Sequence, residues 1–476
     1  MAATPPESSV LSLLNGISPR LAVKELEVLP SARLQRLYSV NVIEGPSLLL
    51  ALPPPAVIRL LRSEKSTLGS EAAVLKWLSA VARERTISGP GAKEPMSRVA
   101  GNTLGKEANS ELLTGYLSTL VRHESIGGVL PVEYNLIRPP RGTPISSLSV
   151  ALDSCEQRIV DFQTGQLLRR ISNQVSPTGR FGIAADVLSV PPSVVHQPPR
   201  RFEGSLTDTK GADSWRVAFH SLLEAVLRDG EDLTIMFNYN NIRHHFERFQ
   251  HLLDAVTEPR LVVLDAGEDS NTLIHRSCES EKKSHASSKE VTIQPKSVKG
   301  ASGKSEIGGK GRQDYRKVLQ DDTNMKEETP MTNDSSRSHI EVTGLRQWSN
   351  CVFGDPLMAT VFSKLPMPSD EFWRGFDKPL PGETTAKIIE DRGNAHIRTL
   401  LYECYHAVVA LVEEYYRPQT DSSRRELAAR KHLGNVLARL EELDDKGQQR
   451  RRRMSGEMSP AKRPRSGQDS DKDGES

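Results

Sequence analysis

From Arg276 to Arg337 the chain reads RSCESEKKSHASSKEVTIQPKSVKGASGKSEIGGKGRQDYRKVLQDDTNMKEETPMTNDSSR, rich in Ser, Lys, Glu and Gly and almost free of large apolar side chains. Such a run cannot bury enough surface to offset the entropy of ordering it. It is expected to be a disordered insertion over residues 276–338, so any core must be assembled from the flanking blocks, roughly 8–275 and 339–445. A second polar stretch begins near Gln448. It is basic at Arg450 to Arg453 and again at Lys462, Arg463 and Arg465, then acidic in SGQDSDKDGES, and is expected to stay solvated.

The two remaining blocks carry clear periodicities. LQRLYSVNVIEGPSLLLAL places two β-like runs around Glu44-Gly45-Pro46, a hairpin signal. SEAAVLKWLSAVARE repeats apolar residues at helical spacing (Ala73, Leu75, Leu78, Val81) behind a candidate cap at Ser70. A strand in GGVLPVEYNLIRPPRG runs into a Pro/Gly connection, followed by the amphipathic stretches EQRIVDFQTGQLLRRISNQV and DSWRVAFHSLLEAVLRDGED. The second of these has Asp213 or Ser214 as its cap and is expected to bury Val217, Phe219, Leu222, Leu223 and Val226. After the insertion come a strand in HIEVTGLRQW and two closing helices, NAHIRTLLYECYHAVVALVEEYYR and SRRELAARKHLGNVLARLEELDD. Strands early and helices late predict an α+β chain.

Charge excludes little by its total, since 63 Lys and Arg stand against 61 Asp and Glu. The four cysteines are far apart, with no CxxC pair, which argues against a zinc site or a disulfide framework and for a reducing compartment. No secretory signal and no membrane-spanning apolar run is present, so the expectation is a soluble protein of the cytoplasm or nucleus, without a membrane partner.

The stretch that points to chemistry is LVVLDAGEDSN, Leu261 to Asn271, four apolar residues of a buried strand ending in Asp265, Glu268, Asp269 and Asn271. Read alone, Asp265 is a turn residue after a strand, Asp355 before Pro356 starts a helix, and Trp215 and Trp348 are core anchors. In order, GSEAAVLKWL, YNLIRPPRGTPISSL, SPTGRFG, SWRVAFHSLLEAVLRDGED, PRLVVLDAGEDSN and GLRQWSNCVFGDPL resemble the aminoglycoside phosphotransferase family, and within it the fungal branch, over about Arg33 to Gln419 apart from the insertion.

The resemblance implies a two-lobed, protein-kinase-like fold with a small β-rich N-lobe and a mainly helical C-lobe. The segments would be an N-terminal stretch 1–32, the small lobe 33–135, the helical lobe 136–275 resuming at 339–447 after the insertion, and the tail 448–476. It further implies ATP and Mg²⁺ as cofactors and a small-molecule hydroxyl as acceptor. Asp265 would be the catalytic base, Glu71 would lie on the nucleotide side, and Asn271, Glu268 and Asp269 would be metal ligands.

The chain also departs from the family pattern. Val263 stands where the loop histidine belongs, and Ser270 takes the strict asparagine spacing, with Asn271 one residue later. Gln347 replaces the metal-binding aspartate before Trp348. LLLALPPP lacks the strand lysine, leaving Arg59, Arg62 and Lys65, past the prolines, as substitutes. Two functions follow: ATP-dependent phosphoryl transfer to a small-molecule hydroxyl, or a catalytically degenerate kinase-like protein that binds or regulates. The basic tail fits a nuclear-import receptor as partner, with nonspecific nucleic-acid contact as the competing use.

Overall fold

Leu48 to Leu52 are five consecutive aliphatic residues and all are buried, the pattern of a strand covered on both faces. In the computed structural model they form the centre of an antiparallel sheet. The structure describes residues 7–17, 22–29, 34–87, 113–125, 132–189, 211–277, 339–364, 366–380 and 387–444. Nearly all of the expected insertion and the whole basic tail lie outside the described residues. The chain divides into a unit of Met1–His275 with Glu341–Ser476 and a second of Arg276–Ile340, of which only Arg276, Ser277, His339 and Ile340 are described.

The larger unit opens with α1 (Glu7–Ile17), β1 (Val23–Leu29), β2 (Arg36–Val42) and β3 (Leu48–Leu52), continues with α2 (Thr67–Ile87), and completes its sheet with β4 (Thr119–Glu124) and β5 (Tyr134–Arg138). The strands pair in the order β1-β2-β3-β5-β4, every pair antiparallel. The expected hairpin is β2–β3. The N-terminal stretch, read from sequence as separate, contributes Val10 and Leu14 of α1 to one apolar cluster with Tyr38, Val40, Leu50 and Leu136. Helix α2 begins at Thr67 rather than behind a cap at Ser70, and Ser70 sits in its first turn with its amide on the Ser66 carbonyl at 2.8 Å.

The crossing to the helical part runs through Gly142, whose φ of +135° suits glycine. A Cβ there would stand 2.7 Å from the Ile274 carbonyl oxygen, so no other residue fits. There follow β6 (Thr143–Pro144), α3 (Ser154–Ser172), β7 (Gly182–Ile183), α4 (Ala184–Leu188), α5 (Trp215–Asp232), α6 (Tyr239–Phe249), β8 (Arg260–Val263), β9 (Thr272–Ser277), β10 (His339–Leu345), β11 (Cys351–Gly354), α7 (Asp370–Asp377), α8 (Ala395–Tyr416) and α9 (Ser422–Glu441). Strand β11 lies between β7 and β8, with Cys351 opposite Val263. The unit is therefore α+β and two-lobed, a small antiparallel sheet lobe followed by a mainly helical lobe, as expected. Among the described residues no helix is long and apolar enough to cross a membrane.

Helix α5 is capped by Ser214, whose hydroxyl accepts from the Val217 amide. It buries Phe219, Leu222, Leu223 and Val226 as its periodicity predicts, but Val217 is 51% exposed because it falls on the outer flank of the first turn. Trp215 is fully buried, and its indole N–H donates to the Tyr402 hydroxyl at 2.8 Å. Tyr402 donates in turn to Asp355 Oδ2 at 2.8 Å, and Arg398 Nε donates to the same oxygen at 2.8 Å. Asp355 also accepts from the Leu357 amide, so its helix-starting role and its ion pair coexist.

Asp355 and Arg398 are 1% and 0% exposed, and a buried pair becomes costly once one partner is removed. Asp355→Ala is expected to destabilise the protein by about 3–5 kcal/mol in urea unfolding; a loss under about 0.5 kcal/mol, the usual surface value, would contradict this.

Candidate functional site

Strand β8 ends at Val263, and residues 264–271 fold back on themselves as turns. Asp265 and Glu268 carbonyls accept from the Glu268 and Asn271 amides, and Gly267 takes φ +89°. Leu264 is held at both ends, its amide donating to the Asn350 carbonyl and its carbonyl accepting from the Thr360 amide at 2.7 Å. The loop is thereby fixed against β11 and the turn that follows it.

The extra residue before Asn271 is absorbed by that turn, for the amides of both Asn271 and Thr272 converge on the Glu268 carbonyl. Asn271 consequently meets Gln347. Its Nδ2 donates to the Gln347 carbonyl at 3.1 Å, and its Oδ1 accepts from the Gln347 amide at 2.9 Å, a closed two-bond pair in which both groups are buried. The Gln347 side chain reaches the sheet lobe, its Nε2 donating to Gln35 Oε1 at 2.8 Å.

One residue further on, the Trp348 amide donates to Glu71 Oε1 at 2.9 Å. Glu71 Oε2 accepts from Asn135 Nδ2 at 2.9 Å, and Asn135 Oδ1 is 2.7 Å from His123 Nδ1. Because the Asn135 amide nitrogen is already donating, that oxygen is the acceptor and His123 carries its proton on Nδ1. Helix α2, strand β5 and the segment after β10 are thus joined by fully buried polar bonds.

A cleft of about 510 Å³ opens between the first turn of α2, the loop after β8 and helix α8. Of the residues singled out from sequence, Asp265 and Glu268 line it, while Glu71, Asp269 and Asn271 do not. Asp265 is 8% exposed. Glu268 accepts from Thr360 Oγ1 at 2.7 Å and from Lys364 Nζ at 2.5 Å. Asp269 is turned elsewhere; burial, then the nearby Asp161 and Glu268 carboxylates, raises its pKa above the usual range.

The expected metal ligands are therefore not brought together. Among the described residues no group of three or more acidic, His or Cys side chains is arranged to hold a metal ion. Asn271 spends its amide on the Gln347 backbone, and Gln347 brings no charge. Of this set Asp265 and Glu268 line the cleft and Glu268 is paired with Lys364, a poor match to Mg²⁺, which favours carboxylates free to bind it.

Two of the three substitute cations are committed. Arg62 is paired with Asp229 and Asp232, and the Arg59 guanidinium lies over the Tyr416 ring.

Sequence reasoning missed the α8 side of the cleft, because Tyr405 to Arg417 reads as an ordinary helix. Glu413 faces the cleft there, and although 40% of its side chain is open to solvent, loss of hydration in the concavity pushes its pKa up to about 6 against the pull of Arg417 at 2.9 Å. His406 donates from Nε2 to the Met358 carbonyl at 2.9 Å, and burial pushes its pKa down to about 4.

Comparison of the fold with solved structures finds similar chains. An aminoglycoside 2'-phosphotransferase-IIIa in complex with GDP is 12% identical, with a TM-score of 0.42, covering 91% of this chain and 99% of that one. An APH(2")-type phosphotransferase complexed with GDP and kanamycin is 13% identical, with a TM-score of 0.40, covering 90% and 99%. The macrolide 2'-phosphotransferase MphH of Brachybacterium faecium is 11% identical, with a TM-score of 0.38, covering 89% and 97%. No family model and no curated protein matches the chain.

Two outcomes are expected from the site's buried groups. Glu71→Ala leaves the Trp348 amide and the Asn135 side chain without their acceptor and should cost about 2–3 kcal/mol in urea unfolding, with Glu71→Gln costing less; equal and negligible losses would refute the role of the carboxylate. His406 stays neutral in the folded protein while the unfolded chain takes up a proton near the usual 6.5. The unfolded state then binds more protons between about 6.5 and about 4, so stability falls as pH drops through that window, by at most ~3 kcal/mol. His406→Gln should flatten that slope, and an unchanged pH profile would count against the assignment.

Proposed function

We propose that this chain is a kinase-like protein that holds a small-molecule ligand in the cleft between its sheet and helical lobes without transferring a phosphoryl group. The observation that carries the reading is the closed Asn271–Gln347 pair, with Glu71 on the neighbouring Trp348 amide. Groups that phosphoryl transfer needs for metal and phosphate here serve to join the lobes. The cleft remains, lined by polar groups from both lobes and large enough for a small ligand.

A second reading, ATP-dependent transfer to a small-molecule hydroxyl with Asp265 orienting the acceptor, is supported by Asp265 and Glu268 lining the same cleft. Turnover separates the two. Purified full-length protein incubated with γ-labelled ATP and Mg²⁺ is expected to release no label above a protein-free control, and Gln347→Asp alone is not expected to start turnover. Label transfer that Asp265→Ala lowers by about 10²-fold or more would establish the second reading instead.

A further inference from the structure

At the sheet-lobe end of the cleft two buried polar groups, on residues that line it, have nothing to bond. Gln35 is 4% exposed, its Oε1 taken by Gln347, and its Nε2 has no acceptor. Ser70 is 2% exposed, and its Oγ has no partner. Both line the cleft, as do Ser66 and Thr67 at the head of α2. A buried amide donor or hydroxyl left unsatisfied costs stability, so a protein that keeps two of them at one place has a use for them when something is bound.

The segment Gln347-Trp348 brings these groups to one place. Gln347 bonds Gln35, and the next amide bonds Glu71, the neighbour of Ser70. Helix α2 adds its own contribution. The first amide with an acceptor within the helix is that of Ser70, on the Ser66 carbonyl, so the amides of Thr67, Leu68 and Gly69 precede the helix's own ladder. A long helix concentrates positive potential at that end, and α2 runs from Thr67 to Ile87 with no acidic residue in its first turn.

We propose that Gln35 Nε2, Ser70 Oγ and the first turn of α2 form a cradle for an oxyanion of the ligand, a phosphoryl or carboxylate group, held by neutral donors where a strand lysine is absent. The inference rests on reading the cleft as a ligand site and names the chemistry of the group held at one end of it.

The surrounding charges permit this. Of the carboxylates lining the cleft, Glu268 is paired with Lys364, Glu64 and Glu413 with Arg417, and Glu414 with Arg425. Asp265 lines the cleft from the helical lobe. Glu133 lies beside Gly69 without lining the cleft, and burial holds its pKa above the usual carboxylate range. Glu71, next to Ser70, has both oxygens bonded to Trp348 and Asn135.

The test is a thermal-shift titration of the full chain, without divalent cations, using pyrophosphate, citrate and acetate as probes, on wild type, Ser70→Ala and Gln35→Glu. Gln35→Glu keeps the acceptor for Gln347 and replaces the donor with an oxygen. Stabilisation of the wild type by pyrophosphate assigns a phosphoryl ligand, and stabilisation by citrate or acetate alone assigns a carboxylate; either supports the cradle. Each variant should weaken that response about tenfold, the worth of one hydrogen bond to a charged group. Ser70→Ala should hold or raise the melting temperature of the ligand-free protein, because it removes an unpartnered buried hydroxyl, a result that a purely structural serine would not give. No response to any probe at tens of millimolar, or a response unchanged in both variants, would overturn the cradle. ATP turnover by the wild type would sink the non-transferring reading yet leave a variant-sensitive oxyanion response standing.

Discussion

The carboxylate of Glu71 is the interaction on which the arrangement of the lobes depends. It is fully buried, and its two oxygens join helix α2 to the Trp348 amide on one side and to strand β5 through Asn135 on the other. A buried carboxyl group is tolerated only when its hydrogen-bonding capacity is filled, and each partner it gains here comes from a different part of the chain. Gln347 extends the same network, with its backbone on Asn271 and its side chain on Gln35. Sheet lobe and helical lobe thus meet through amides around the one carboxyl group of Glu71.

The helical lobe has its own counterpart in Asp355 and Arg398. That pair ties the end of β11 to α8, and through Tyr402 and Trp215 it reaches α5. Helix α8 is thereby tied to β11 and α5, and it presents His406, Glu413 and Arg417 to the cleft. Carboxylates and guanidinium groups alternate along this wall and largely pair with each other, as Glu64 and Glu413 do on Arg417. Two buried donors without a partner, Gln35 Nε2 and Ser70 Oγ, belong to the opposite wall.

Much of the fold was legible in the sequence because it rests on periodicity. The hairpin of β2 and β3, helix α5 with its cap, and the closing helices α8 and α9 follow from apolar spacing and turn residues. The misses have local causes. Ser70 reads as a cap because its side chain stands just ahead of the apolar period, whereas the helix starts three residues earlier, and Val217 reads as buried because one residue in the first turn cannot define a face. The place of Asp265 at the cleft was legible from the strand that precedes it. The fate of Asn271, Glu268 and Asp269 was not, since whether neighbouring polar residues converge depends on turn geometry that spacing does not encode. Gln35 carried no signal, its place being set by a bond to Gln347, 312 positions away, and Ser70 signalled only a helix start.

With Asn271 and Gln347 bonded to each other, we propose that no metal site is left between the lobes. The most direct measurement is the melting temperature of the full chain against Mg²⁺ concentration, with and without ATP. No saturable rise with Mg²⁺ alone, and the same ATP response in its presence and absence, are expected. A saturable, millimolar Mg²⁺-dependent rise that Asn271→Ala abolishes would contradict it, because a ligand that stabilises the folded state through that residue must find its donors free to bind.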